Sequence, residues 1–482
     1  MGYTIEQQPN QLAGANNPMV YIVKESDGAI TGADKFRYIV QVQISTTDAS
    51  TFSTIAKIKI HKNQAEVGIV DVHKIIRTYL ETQQKNVGNQ LTIDGSIHSI
   101  GISNASYSYS QNTSQVVGVR ILGGYEKASS PTTAPVEELA PTGTYTADVI
   151  YAIPATTPFT KTADDTGGID IASGTYANNP MTIFVPGTST KQFLTNAPTV
   201  QFVRGSTTSA DNVDELTVGF IQDGLVTDGD PIVRMYIQYY DSAGVVIAGT
   251  TGAATSHYFI NNAANGGIAT ADDVKNTLIY FGCGTANLEN QEDEVNAQPN
   301  NFVDWAYYRI WGANGSGVAE TSIYYFYRYG SGASVDDRHQ SCTRYNNVRI
   351  AWRNRLGCWD YMNFRGKSTE AVDVKRTEME SVVGTWDSAD FTYENWDSGR
   401  QVLFTEGKRK LVINSDWLNE DEAAWLEELF TSANVEVLAD NNIVYPVMVM
   451  DKTYTKKTSV NNKIKIQYKI SLEYSNKVKT NS

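Results

Sequence analysis

Two stretches of this chain alternate apolar and polar residues so regularly that they constrain the fold more than any other part of the sequence. In the segment 463–474, isoleucine, tyrosine and leucine occupy every second position, with polar or charged residues between them. In the segment 348–364, two shorter stretches, rich in tryptophan and arginine, flank a turn at 354–357. Alternation with a period of two is typical of β-strands that bury one face. Both stretches therefore predict antiparallel β-structure.

Similar short alternating stretches recur along the chain and predict a mainly β fold, with multi-domain β-sandwich or jelly-roll-like sheets and two or three short helices. Changes in composition divide the 482 residues into four segments. We expect an N-terminal β-sandwich with one helix at 1–125, a proline-containing linker at 126–142, a Gly/Thr-rich β domain with insertions at 143–345, and a C-terminal β domain with one capped helix at 346–482.

Three places depart from the period of two and predict short helices. Asp71 precedes apolar residues spaced three and four apart, as on one side of a helix that ends near residue 80. Thr270 is a second candidate cap. Asn419 and Glu422 have the spacing of a capping box at the start of a third helix.

The charge of the chain argues against nucleic acid as its main partner. The formal net charge is −14, whereas proteins that bind phosphate backbones usually present a basic face. The segment 451–482 is an exception, because its eight lysines and two acids give a local charge of +6 and leave −20 on the rest. Two interpretations fit: a solvated strand face guarded by lysines, or a basic patch that meets an acidic patch on a neighbouring copy.

The sequence also predicts a soluble protein made in the cytoplasm. Three cysteines, Cys283, Cys342 and Cys358, lie far apart and show no disulfide framework. The first ten residues lack the basic and apolar regions of a signal peptide, and no apolar run approaches the roughly 18 residues of a membrane span. We therefore expect no membrane insertion.

Several residue groups resemble chemical sites, but none has the spacing that its chemistry requires. The segment 365–368 ends like a phosphate-binding loop, yet Tyr361 stands where that loop needs glycine. Residues 336–339 with Cys342 combine acid, base and nucleophile types, but neighbours on a loop rarely form a catalytic pair. The aspartates within 223–230 do not follow a calcium loop, and no cysteine or histidine spacing suits zinc. We predict no catalytic, cofactor-binding or metal-binding residues and no enzyme activity.

The abundant aromatic residues allow two interpretations. The chain has 28 tyrosines and 8 tryptophans, and Trp352, Trp359, Trp386 and Trp396 are clustered in the C-terminal segment. Buried aromatic rings fill β-cores and subunit contacts, whereas exposed rings bind sugars. We favour core and interface positions and keep glycan binding as the alternative.

Seven segments taken together resemble a known class of proteins. They are 7–9 with 16–18, 71–80, 193–196, 352–364, 417–430, 451–454 and 472–474. This set resembles uncharacterised structural proteins encoded in the tail modules of tailed bacteriophages, over roughly residues 1–125 and 345–482. These motifs are not specific for a role within the tail.

The resemblance implies a virion protein that is made in the host cytoplasm and located in the tail. It implies a tail, tail-tip or baseplate ring protein that contacts copies of itself and other virion structural proteins, with no cofactor and no reaction. A receptor-binding module that recognises a host-surface glycan, a head-associated structural protein and an enzyme acting on surface polysaccharide are the alternatives. Whether the strand at 463–474 pairs within the chain or with another chain stays open at this stage.

Overall fold

A computed structural model describes most of the predicted strands. It covers residues 2–9, 12–45, 51–80, 96–100, 109–112, 116–139, 149–156, 193–205, 214–221, 232, 234–247, 257–260, 278–288, 305–314, 316–319, 321–329, 345–386, 390–439, 443–457, 466–476 and 478–481. The chain divides into two compact units. Unit 1 comprises Met1–Val335 with Asn354–Asp360, and unit 2 comprises Asp336–Arg353 with Tyr361–Ser482.

Unit 1 contains seventeen strands within the described residues. They are β1 (Tyr3–Gln7), β2 (Leu12–Gly14), β3 (Val20–Glu25), β4 (Asp34–Ser45), β5 (Ser53–Ile60), β6 (Val67–Asp71), β7 (Tyr109–Asn112), β8 (Val117–Ala128), β9 (Val136–Leu139), β10 (Ile150–Ile153), β11 (Val200–Val203), β12 (Thr217–Ile221), β13 (Arg234–Tyr240), β14 (His257–Ile260), β15 (Leu278–Gly282), β16 (Tyr307–Ala313) and β17 (Tyr324–Arg328). Its helices are α1 (Gly28–Thr31), α2 (His73–Arg77), α3 (Thr285–Leu288) and the 3₁₀ turn Ile97–Ser99.

Unit 2 contains most of the remaining strands and one longer helix. They are β18 (Val348–Arg353), β19 (Trp359–Phe364), β20 (Thr369–Glu380), β21 (Thr385–Trp386), β22 (Phe391–Thr392), β23 (Arg400–Asn414), α4 (Glu420–Thr431), β24 (Val435–Ala439), β25 (Ile443–Val449), β26 (Lys469–Tyr474) and β27 (Val478–Asn481). The first two residues of β19 belong to unit 1. The predicted mainly β fold is confirmed, with one or two more short helices than expected. The additional helices, α1 and α3, are single turns too short to show an apolar period.

Two sheets of unit 1 share one core, in the manner of a β-sandwich. A three-stranded sheet has the order β1-β3-β6, and a larger sheet has the order β2-β10-β8-β4-β5 with β9 added to β8. Tyr21 and Val23 from the first sheet belong to the same buried cluster as Tyr38 and Val119 from the second. Gly123 keeps the sheets close, because a Cβ there would lie 2.1 Å from the Tyr3 ring.

Strands from distant parts of the sequence combine within unit 1. β10 pairs with β2 and β8, and β7 pairs with β15, so two sheets join residues from 1–125 with residues from 143–345. The segment 126–142 carries the exposed strand β9, which pairs with β8. A further sheet has the order β11-β17-β16-β13-β14.

A buried polar network fixes the turn 354–360 inside unit 1. The Asn354 amide donates to the Leu194 carbonyl (2.8 Å) and to Asp360 Oδ1 (2.9 Å). Asp360 Oδ1 also accepts from the Thr195 hydroxyl at 2.6 Å. The Asn354 side-chain oxygen accepts backbone N–H groups of Leu356 and Cys358, both at 3.0 Å. The turn of the predicted hairpin is thus tied to the segment 193–196, and the polar groups serve the fold.

Unit 2 is built on an eight-stranded sheet. Its order is β19-β18-β24-β25-β26-β23-β20, with β27 also paired to β23. β26 pairs with β23 on one side and β25 on the other, so the C-terminal strand pairs within the chain. The capping box of α4 is confirmed, because Asn419 Oδ1 accepts from the Glu422 N–H and the Glu422 carboxylate accepts from the Asn419 N–H, both at 2.7 Å. Trp425 of this helix packs on Trp352, with ring centroids 4.8 Å apart.

Two local expectations differ from the structure, and a third lies outside it. The helix predicted from 71 to 80 spans only His73–Arg77, and its N-cap is Val72. Asp71 does not cap it; instead it is the last residue of β6, and its carboxylate accepts from the N–H groups of Met19 and His73. Of the strand predicted over 463–474, residues 463–465 lie outside the described residues. In the described part the regular strand begins at Lys469, and Ile466 makes only an isolated bridge to Leu418. Thr270 lies outside the described residues.

Candidate interaction surfaces

The residue groups that resemble chemical sites do not assemble into one. Arg365 is buried, and Gly366 N–H donates to the Asn414 carbonyl at 3.1 Å, so the segment 365–368 is a turn bonded to β23. The aspartates of 223–230 and the group 336–342 lie outside the described residues. Within the described ranges there is no cluster of three metal-ligating side chains, and no helix is long and apolar enough to cross a membrane.

The most distinctive surface of unit 1 is one face of the sheet β11-β17-β16-β13-β14. Along β13, β16 and β17, buried residues largely alternate with half-buried tyrosine, tryptophan and arginine. Gln238, which accepts from the Arg309 guanidinium, and Ala313 share the face of these half-buried residues but are buried. We call this face the aromatic ladder. Its rings belong to Tyr236, Tyr240, Tyr258, Tyr307, Trp311, Tyr325 and Tyr327.

The rings of the ladder cover one another's faces. Tyr307 lies between Tyr240 and Tyr327, with centroids 4.6 and 4.7 Å apart and ring planes 5° and 25° from parallel. Trp311 stacks on Tyr236 at 5.0 Å and 3°. These residues are direct cross-strand neighbours, so the rings stand on the sheet and stack along the direction between strands. The ladder therefore offers ring edges and hydroxyl groups to a partner rather than open ring faces.

Arginine side chains pack on the rings of the ladder, and its tyrosine side chains are partly buried. The Arg309 guanidinium lies 4.9 Å from the Trp311 ring centre, and the Arg234 guanidinium lies 4.8 Å from that of Tyr258. Partial burial raises the pKa of the Tyr307 hydroxyl, as it does for Tyr240 and Tyr327. The hydroxyls thus stay protonated at neutral pH, and the surface is rigid and rich in the residue types that dominate protein interfaces.

Unit 2 carries a long exposed pair of strands, β20 and β23. On its other side β23 is paired with β27 at Phe404–Gly407 and with β26 at Lys410–Asn414, so at the start of β23 residues 400–403 have β20 as their one partner among the described strands. β20 pairs with β23 over its whole length, from Thr369 opposite Val412 to Glu380 opposite Arg400. Twelve residues of extended chain span about 40 Å. Nearly all of β20 is exposed, including Val372 and Val374, and among the described strands it pairs only with β23. We call this pair of strands the arm; its outer edge has no strand beside it within the described residues.

The arm ends in a small tip, residues 381–399, of which 387–389 lie outside the described residues. Ser381 N–H donates to the Gly399 carbonyl at 2.8 Å and closes its base. β21 and β22 form a short hairpin, and Gly384 before it has φ +78°, where a Cβ would lie 2.5 Å from the Thr392 carbonyl oxygen. A turn between Glu394 and Asp397 follows, with the Asp397 carboxylate accepting the Glu394 N–H at 2.8 Å.

Large aromatic side chains project from this tip into solvent. Trp386 is 66% exposed, Tyr393 61% and Trp396 79%. Trp386 leans on Phe391 with centroids 4.4 Å apart, but each keeps much of its surface open. The tip also holds four acids and no lysine or arginine. Exposed apolar clusters of this kind mark interaction sites.

A second exposed surface of unit 2 has the opposite charge. Met448 and Met450 are 49% and 44% exposed at the end of β25. Met448 pairs with Glu473 of β26, so Lys469, four residues earlier on that strand, lies on the same side of the sheet. Lys452 lies two residues after Met450 and is exposed, as is Lys469. We call Met448, Met450, Lys452 and Lys469 the basic face.

Comparison with known proteins does not identify this chain. No protein-family model and no curated protein matches the sequence. Among solved structures, trypsin-activated alpha-2-macroglobulin from Escherichia coli aligns with 86% of this chain at 8% identity and a TM-score of 0.17, and alpha-2-macroglobulin from Salmonella reacted with methylamine aligns with 100% at the same identity and TM-score. The chain spans only 26% and 31% of those proteins, and likeness at this TM-score carries no argument about fold or function.

Proposed function

We propose that this protein is a structural component of a tailed-bacteriophage virion: a tail, tail-tip or baseplate ring protein that assembles with copies of itself and docks neighbouring virion proteins. The arm of unit 2 is the observation that carries the proposal. This pair of strands, about 40 Å long, exposes valine and methionine side chains and carries exposed tryptophans at its tip, and exposed apolar surface of this kind suits contact between subunits. The resemblance of the chain to tail-module proteins supplies the virion context.

Under this proposal the protein works by holding geometry, without a reaction. The sandwich of unit 1 and the eight-stranded sheet of unit 2 are the scaffolds, and exposed surfaces on each dock the neighbours. The ladder presents stacked tyrosine, tryptophan and arginine side chains whose rotamers are already fixed. Fixed side chains lose little entropy on binding, which favours the ladder as a site for another virion protein.

The first test is the mass of the purified chain in solution, followed by imaging of the particles. A closed ring with rotational symmetry is expected, since heterologous contacts between identical copies close into rings. Antibody labelling of virions made from the genome that encodes this chain should mark the tail. Labelling at the head would favour the head-associated alternative. A chain that is monomeric at high concentration and absent from virions would overturn the proposal.

Glycan recognition by the tip is the second candidate function. Sugars bind on open aromatic faces, and the tip, with Trp396 79% exposed, offers them where the ladder does not. The four acids of the tip disfavour anionic polysaccharides, so a neutral host-surface glycan is the expected ligand. A glycan array that compares the wild-type chain with Trp396→Ala tests this. Binding lost in the variant supports it, and no binding by the wild type removes it.

A further inference from the structure

The arm places the tip far from the basic face of its own chain. The basic face adjoins Lys410 of β23, because Met448 pairs with Glu473 and Glu473 pairs with Lys410. The tip begins where β23 begins, at Arg400. Ten residues of extended strand separate Arg400 from Lys410, which is about 33 Å. The base of the tip and the basic face therefore lie at opposite ends of the arm.

The two surfaces are complementary in charge and in chemistry. The tip carries a formal charge of −4 with three widely exposed aromatic rings. The basic face offers two exposed methionines beside the exposed Lys452 and Lys469 of the segment 451–482, whose net charge is +6. Glu473 lies on the same side of the sheet, but it is buried and paired with Lys408. Methionine is flexible and polarisable and packs well against aromatic rings. Opposite charges at the rim steer two such surfaces together and disfavour tip-to-tip or face-to-face pairing.

We propose that the tip of one copy docks on the basic face of the next copy, so that the arm is the head-to-tail link of the oligomer. This inference rests on the proposed ring function and names the contact that builds the ring. Tip and basic face are different patches, so each copy gives one and receives one, and the contact propagates until the ring closes. The separation of about 33 Å keeps the tip from docking on the basic face of its own chain.

Two variants separate the halves of the contact. The first, called tip-minus, is Trp386→Ser/Tyr393→Ser/Trp396→Ser, which removes the exposed rings. The second, called face-minus, is Met450→Glu/Lys452→Glu/Lys469→Glu, which reverses the charge of the basic face. Every substituted residue is exposed, so both variants should fold. Matched controls are Tyr79→Ser/Val245→Ser/Val318→Ser and Lys74→Glu/Lys367→Glu, at exposed positions elsewhere.

The decisive measurement mixes the two variants and determines mass by sedimentation. Each variant alone should be monomeric, while the controls assemble like the wild type. Mixed at equal concentration, tip-minus and face-minus copies should form one-to-one dimers and nothing larger, because only one intact tip and one intact face remain per pair. A two-fold contact of identical patches would not give this result. Raising the salt concentration to about 1 M should weaken the dimer, since charge is then screened beyond about 3 Å.

The outcomes separate this inference from the proposed function. If the wild type assembles and tip-minus assembles equally well, the arm contact is overturned while the ring protein stands. If the wild type is monomeric at all concentrations, self-assembly itself is overturned. If tip-minus keeps its assembly but loses binding to a glycan array, the occupant of the tip is a sugar and the inference is wrong. Circular dichroism of each variant should match the wild type and so confirm that loss of assembly is not loss of fold.

Discussion

The ladder and the tip are both rich in tyrosine and tryptophan, yet the structure uses the rings in opposite ways. In the ladder, Tyr307 stacks on a ring at each side, so neighbouring rings cover both faces of its own ring. At the tip, Trp396 is 79% exposed and its faces are open. The same residue types therefore stabilise a sheet in unit 1 and remain exposed to solvent at the tip of unit 2. Composition alone could not separate these roles, because what matters is how much of each ring its neighbours cover. Trp386 has the cross-strand neighbour Phe391 and is still 66% exposed.

The largest effect is expected from removing the central ring of the ladder. Tyr307→Ala deletes two stacking contacts and part of a half-buried side chain, which should cost about 2–3 kcal/mol in the free energy of unfolding. The same change at the tip, Tyr393→Ala, should cost less than about 0.5 kcal/mol. Denaturant titration measures both, and the loss should fall on the transition of unit 1. Equal losses in the two variants would erase the distinction between ladder and tip.

Loss of the helix cap in unit 2 gives a calibrated intermediate effect. Asn419→Ala removes the side-chain oxygen that accepts the Glu422 N–H at 2.7 Å, and caps of this kind are worth about 1 kcal/mol. The helix packs on Trp352 in the sheet, and none of its residues belongs to the tip or to the basic face. Denaturant titration should therefore show a loss of about 1 kcal/mol, while sedimentation shows unchanged assembly. Reduced assembly in this variant would mean that instability of unit 2 alone can mimic a tip defect.

Much of the fold follows from period and capping, which are local signals. β18 and β19 lie where the alternation within 348–364 predicts strands, and the capping box at Asn419 starts α4, because alternation and caps act within a few residues. The helix at 71–80 was overestimated since Tyr79, which continues its apolar stripe, is exposed beyond the last turn. Sheet partners were not predictable, since β10 finds β2 across more than a hundred residues and only tertiary packing selects it.

The surfaces were only partly predictable from the sequence. The exposed tryptophans at 386 and 396 were noted in the sequence as part of a cluster, but nothing in the sequence indicated the arm that carries them. The ladder was missed, although β13 and β16 carry a signal: aromatic residues occupy both of their alternating faces, as in Tyr307 and Tyr308. A strand with aromatic residues on both faces either is buried between two layers or exposes the aromatic residues of one face. Only the three-dimensional arrangement decides between these possibilities.

A smaller effect, the loss of stability at high pH, should distinguish the ladder from the tip. Partial burial raises the pKa of Tyr307 in the folded chain, together with those of Tyr240 and Tyr327, above the usual value near 10. The unfolded chain therefore ionises first, and this part of the stability is present below pH 10 and lost as the pH rises through it. The triple variant to phenylalanine should lose less stability between pH 9 and 11 than the wild type. An equal loss would show that the ladder hydroxyls do not contribute.

The smallest change in the free energy of unfolding is expected for Trp396→Ala. A small change is what distinguishes an exposed ring from a ring that belongs to the folded core. The side chain is 79% exposed, so truncation removes little buried surface, and the free energy of unfolding should stay within about 0.5 kcal/mol of the wild type. Trp311→Ala, the matched change in the ladder, should lower it several times more because Trp311 is stacked on Tyr236. If Trp396→Ala were as destabilising as Trp311→Ala, the tip would belong to the folded core. If it leaves stability intact but weakens assembly, the ring at 396 acts on another molecule.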